Sequence, residues 1–269
     1  MVATRAGKTG MHGMVTYELR GAVAWIGLDR PEKRNAISVA LLAGLDAAAR
    51  RAQAEARAMV VFGHGPCFCA GLDLAEHKAR DPAQTFETSR AWHAAFGVIR
   101  RGRVPAIAAL HGAVVGGGLE LASACHIRVA DATAFFALPE GVRGIYVGGG
   151  ASVHTARLLG AARMADMMLT GRVLDAAAGE RAGLVQYLVP EGAAAARAGE
   201  LAEKVAGMAP LTVLGVLQAL PRIQDMSEED GLFVESMMAA LAQSGGEAAS
   251  RLGEFVAGRA AKVAGPAAE

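Results

Sequence analysis

From Val15 to Leu19 apolar and polar side chains alternate, the period of a strand with one covered face. Arg20-Gly21 marks a turn and Ala22–Leu28 a second strand, so a hairpin is expected. Residues 38–56, rich in Ala, Leu and Arg, have the spacing of an amphipathic helix, with Ser38 as its N-cap. Ala58–Phe62 predicts a short buried strand running into a Gly/Cys loop, 85–101 a helix, and Pro105–Leu110 another strand. A glycine-rich loop over Gly112–Gly118, a buried helix over Glu120–Cys125 and a strand over His126–Ala130 follow. Short strands alternating with helices up to residue 150 predict an α/β domain. From residue 151 the pattern is nearly all helical, with one short strand expected within Leu184–Val189.

Composition changes this picture little. The chain has 269 residues, 53% hydrophobic and 20% charged, enough for a sizeable core. A net charge of +1 gives no reason to expect a nucleic-acid partner, so any positive site must be local. The three cysteines, Cys67, Cys69 and Cys125, are an odd number in a chain of this size, which fits reduced thiols in the cytoplasm. Residues 1–13 lack an apolar stretch of signal-peptide length and are expected to be a disordered tail. No apolar run reaches membrane-spanning length, so no membrane partner is expected.

Three segments carry candidate chemistry. In the first, His64-Gly-Pro-Cys-Phe-Cys-Ala-Gly-Leu-Asp73, a strand enters a tight loop and a helix start, where backbone N–H groups are open to an anion. Asp73 there could equally be a simple cap. His64, Cys67 and Cys69 invite a metal reading, but no second Cys/His pair lies nearby and no metal is expected. The second, His111 to Ser123, has three consecutive glycines before Glu120. It has neither the dinucleotide spacing nor the Gly-Lys-Ser/Thr of a phosphate loop. Glu120 falls in the first turn of an apolar helix, where it either complements the helix dipole or does chemistry. The third, Ala134 to Gly150, places Glu140 after Pro139 in a glycine-rich loop; Glu140 could simply pair with Arg143. Ser152 and His154 suggest a serine nucleophile, but the G-x-S-x-G elbow is absent.

Taken in order, Leu28-Asp-Arg-Pro-Glu-Lys-Arg-Asn-Ala-Ile37, Phe68-Cys-Ala-Gly-Leu-Asp73, Gly112 to Glu120 and Leu138-Pro-Glu140 resemble the crotonase (enoyl-CoA hydratase/isomerase) superfamily. The resemblance runs from about residue 14 to the C-terminus. It implies a spiral of ββα turns over 14–205 and a helical trimerisation region over 206–269. It also implies an oxyanion hole for a thioester carbonyl, made by the N–H groups of Leu72 and Gly117. Glu120 would then activate a water and Glu140 would protonate the α-carbon, the pair of an enoyl-CoA hydratase.

The same resemblance places acyl-CoA near Arg30, Lys33, Ala70, Gly71, Asp73, Gly116 and Val147, and near Phe255 and Lys262 of the C-terminal region. For the charged members of that set, a solvated surface charge is an equal reading. CoA belongs to the substrate, so no cofactor is expected. The implied assembly is a trimer or a dimer of trimers; the apolar run 206–262 suits a subunit interface or a core. Val147 stands where relatives often have proline, a departure that touches the acyl pocket. Leu138–Gly150 and Arg163–Gly171 are similar to a narrower group that includes methylthioacryloyl-CoA hydratase. Isomerases, CoA-thioester hydrolases and silent scaffold members of the superfamily are the alternatives.

Overall fold

The computed structural model describes residues 13–76, 81–260 and 265; the expected N-terminal tail and Lys262 lie outside them, apart from Gly13 in a turn. The chain divides into two compact units, one ending at Gly207 and the other starting at Met208. In the first unit, β1 (Val15–Arg20) and β2 (Val23–Leu28) form the expected antiparallel hairpin. Strands β3 (Ala58–Gly63), β4 (Ala106–Leu110), β6 (Ile127–Asp131) and β9 (Tyr187–Val189) add to β2 in parallel, giving the order β1-β2-β3-β4-β6-β9. A second sheet joins β5 (Ala113–Val115) and β7 (Phe135–Ala137) in parallel, with β8 (Leu174–Asp175) antiparallel to β7. The α/β expectation therefore holds for this unit.

Alternation along the strands divides the core. Val23, Ala58, Val60, Ile107, Ala109 and Val129 face helix α7 (Ala194–Ala206), which contributes Ala198, Leu201 and Ala202. Their neighbours Met59, Val61, Ala106, Ala108 and Leu110 point the other way, toward α1 (Val39–Glu55), α2 (Pro82–Arg100) and α3 (Gly117–Ala124). Strands covered on both faces read as continuous apolar runs, as β4 does. Helix α1 begins where expected, with Ser38 Oγ accepting from the Leu41 N–H at 3.1 Å. Helix α2 begins three residues before the expected start at 85: Asp81 and Gln84 form a reciprocal capping box and Pro82 takes the first turn. Helices α4 (His154–Leu159), α5 (Ala161–Thr170) and α6 (Ala176–Arg181) complete the unit.

The second unit is helical: α8 (Pro210–Leu214), a π-helical turn over Gly215–Ala219, α9 (Leu220–Ile223), α10 (Glu228–Ser244) and α11 (Gly246–Val256). Pro210 and Pro221 sit in first turns, where a missing N–H costs nothing. Among the described residues, no single helix is long and apolar enough to cross a membrane.

Candidate active site

Three segments are laid side by side by backbone pairing. Cys69 bridges Val114 in parallel, donating to Ala113 O at 2.9 Å while Val115 N–H donates to Cys69 O at 3.0 Å. Strand β5 pairs in turn with β7, Val115 opposite Ala137. The chain just beyond these paired positions supplies the site: Leu72 after Cys69, Gly117 after Val115, Glu140 after Ala137. Three motifs distant in sequence are thereby brought into one short row.

Gly117 is the first residue of α3, so its N–H has no acceptor within the helix. Ile37 and Leu72 form a parallel bridge in which Ile37 N–H donates to Gly71 O at 2.7 Å and Asp73 N–H to Ile37 O at 3.1 Å. The Leu72 amide, alternate in the chain, faces the other way. A β-carbon on Gly117 would lie 3.5 Å from the Leu72 nitrogen, and one on Gly71 would lie 3.3 Å from the Gly117 nitrogen. The two donors are neighbours, and the glycines keep their approach open. Gly71, at φ +98°, also occupies a backbone region that side chains disfavour.

Glu120 is 4% exposed, one turn into α3. Its Oε1 accepts from the Gly149 N–H at 2.7 Å and the Ala151 N–H at 3.1 Å. It thus binds a loop rather than merely facing its own helix terminus. Burial pushes its pKa up, and backbone donors of the Gly148–Ala151 loop oppose that shift. A β-carbon on Gly149 would stand 2.8 Å from Glu120 Oε2 and 2.8 Å from the Trp92 ring. Trp92 of α2 therefore backs both the Glu120 clamp and Gly117, which its ring also touches. Ser89, one turn earlier, donates to Gly148 O at 2.6 Å and ties the clamp to α2.

Glu140 lies across the row, its Oε1 against Gly116, which has φ +53° and no room for a side chain. Its Oε2 is buried without a hydrogen-bond partner among the described residues. Burial first, and the Glu120 charge with it, raise the Glu140 pKa to about 7, while the Arg143 charge pulls the other way. The two carboxyl groups thus differ in kind: one is gripped by backbone donors, the other has an oxygen left without a partner among the described residues.

The remaining expected residues are placed unevenly. Arg30 and Asp73 pair with each other at 2.6 Å, both side chains nearly buried, and Arg30 also donates to Ala36 O at 3.0 Å. Asp73 Oδ1 caps the turn that follows by accepting from Ala75 N–H at 3.0 Å. This pair braces the Leu72 loop, so Arg30 is committed to the protein, whereas Lys33 is exposed close by. Ala70 is half-buried and Val147 buried beside the Gly148–Ala151 clamp. Phe255 is exposed on α11 of the second unit.

His64 bonds Thr16 at 2.9 Å, while the Cys67 and Cys69 thiols donate to the Arg34 and Asn35 carbonyls. These three side chains have separate partners, and burial pushes Cys69 up to about 12. Among the described residues, Ser152 and His154 make no hydrogen bond to each other; Ser152 is exposed and His154 Nδ1 is buried without a partner. Trp92, Ser89, Gly149 and Ala151 were not singled out by the sequence, where only the run of glycines at 148–150 marked the clamp.

The enoyl-CoA hydratase/isomerase family model matches residues 18–259. Enoyl-CoA hydratase EchA19 of Mycobacterium tuberculosis is 30% identical over 82% of this chain and 85% of its own. The 2,3-dehydroadipyl-CoA hydratase of Escherichia coli is 33% identical over 80% of this chain and 85% of its own. A crystal structure from Rhodopseudomonas palustris, provisionally assigned as an enoyl-CoA hydratase, superposes with TM-score 0.90 at 50% identity, covering 94% of this chain and 98% of that one. Pseudomonas aeruginosa DspI superposes with TM-score 0.87 at 29% identity, over 97% and 100%. The fold is that of the crotonase superfamily. A match that spans the hairpin, the site and most of the helical region makes this chain a member of the enoyl-CoA hydratase/isomerase family.

Proposed function

We infer that the chain hydrates a 2-enoyl-CoA thioester, adding water across its conjugated C=C. The observation that carries this reading is the pairing of two carboxyl groups with unlike surroundings beside two adjacent amide donors. A thioester carbonyl received by the Leu72 and Gly117 N–H groups would be polarised as the enolate develops, worth roughly 3–4 kcal/mol per donor in comparable sites. Glu120, held by Gly149 and Ala151, takes a proton from water as its oxygen bonds the β-carbon. Glu140, protonated below about 7, delivers its proton to the α-carbon. Return of the proton from Glu120 to Glu140 resets the pair, and the sum is one water added.

The local likeness of Leu138–Gly150 and Arg163–Gly171 to the methylthioacryloyl-CoA group supports a thioether-bearing enoyl substrate. Water addition there gives a hemithioacetal that releases methanethiol, with thioester hydrolysis to follow. Acyl-CoA is the partner molecule, and Lys33 is an exposed cation beside the site's loop, its charge acting on Asp73. Leu232, Phe233, Met237, Leu241, Leu252 and Phe255, exposed on α10 and α11, support a homo-oligomer, a trimer or a dimer of trimers. Mass spectra of products from crotonyl-CoA test the reading. A hydrated, intact thioester supports it; a double-bond shift or free CoA without hydration contradicts it.

A further inference from the structure

Asn35 is buried and bonded beyond any role given to it so far. It is fully buried and takes φ +55°, directly after Arg34 at φ +50°, two successive left-handed residues without glycine. Its Nδ2 donates to His64 O and Cys67 O at 2.9 Å and to Phe68 O at 3.1 Å; its Oδ1 accepts from Arg30 N–H at 2.9 Å. Around it the two segments are zipped. Ala70 N–H donates to Arg34 O at 2.9 Å, the Cys69 thiol to Asn35 O at 3.0 Å, and Arg30 pairs with Asp73. The chain carrying Leu72 thus hangs on residues 30–37, and the Asn35 amide gathers three of its carbonyls at one point.

We propose that Asn35 is a positioning residue for the oxyanion hole, fixing the loop from His64 to Leu72 so that the Leu72 N–H meets the thioester oxygen beside Gly117. This rests on the oxyanion-hole reading above. Asn35 touches no reacting atom; its two amide hydrogens are spread over three carbonyls, with the bonds to Cys67 and Phe68 buried. A strained pair of residues held by such a network is a common way to set a loop to sub-ångström tolerance.

The test uses Asn35→Asp, which keeps shape, left-handed tolerance and the acceptor for Arg30 but lacks the donors, and Asn35→Gly, which keeps only the backbone freedom. Leu45→Ala, in the core on α1, is the stability control. The readout is the red shift of cinnamoyl-CoA on binding, which reports polarisation of its carbonyl, together with kcat and KM on crotonyl-CoA. Both Asn35 variants should lose at least half the shift and about 10–100-fold in kcat, with KM changed less than about threefold; Leu45→Ala should keep the full shift. A folded Asn35→Asp enzyme with wild-type shift and kcat overturns the proposal, as does an equal loss in Leu45→Ala. Failure of both Asn35 variants to fold makes it a folding residue and overturns it too. If the wild type binds the probe without a shift, the oxyanion hole falls and this role with it. A shift without hydration overturns only the hydratase reading.

Discussion

Glu120 and Glu140 lie close enough for one charge to act on the other, yet their surroundings differ. Two backbone donors hold the first in place, while the second has an oxygen with no partner among the described residues and a pKa raised to about 7, mainly by burial. Glu120→Gln and Glu140→Gln should each lower kcat about 10²–10⁴-fold without unfolding the chain, as circular dichroism would verify. Since Glu140 must carry a proton to act as the acid, kcat/KM should fall as pH rises through about 7. Stability should follow the same group. In the unfolded chain Glu140 titrates near 4.5, in the native one near 7, so the native state holds the extra proton between those values. That contribution is complete below 4.5 and lost as pH rises through 7. Glu140→Gln should therefore raise Tm by roughly 2–5 °C at pH 8 and leave it unchanged near pH 4.5. At this scale residue types made both glutamates conspicuous, a carboxylate in an apolar helix and one in a glycine-rich loop, but left each a structural alternative, and the family resemblance supplied their expected roles. Trp92 and Asn35 were not conspicuous: an aromatic in a helix reads as core, and an amide reveals its role only once its carbonyls have been brought together.

Helix α2 matters more to the site than its distance in sequence implies. Through Ser89 and Trp92 it supports the loop that grips Glu120, and Gly149 is the point of closest approach. Gly149→Ala would force a β-carbon against both Glu120 and Trp92, and should cost about 10²-fold or more in kcat in a protein that still folds. Asp81→Ala removes the box at the start of α2 and should cost about 1 kcal/mol in urea unfolding, with activity nearly unchanged. Long elements with a clear period were legible: β1, β2, α1 and β4 lie close to where patterning puts them. Strands β5, β7 and β8 were not, since three residues or fewer cannot show a period and their pairing is entirely non-local. Of these, β5 and β7 align the segments of the candidate site.

For the whole molecule, the sequence motifs and the family match agree on the crotonase fold, and ordered motifs carried that recognition where periodicity alone gave only an α/β class. The α10 and α11 side chains left exposed predict self-association: sedimentation of the purified protein should give a multiple of the 27.5 kDa chain, three- or sixfold, and a purely monomeric species would contradict it. The central claim is water addition by the glutamate pair. The most direct test follows enoyl absorbance and product mass with crotonyl-CoA and methylthioacryloyl-CoA side by side, using the wild type and both glutamine variants. The account predicts rapid loss of absorbance in the wild type and at least about 10²-fold slower loss in each variant, with a product heavier by one water from crotonyl-CoA and methanethiol from the thioether. Turnover near the wild-type rate in either glutamine variant, or a wild type that leaves both substrates unhydrated, would contradict it.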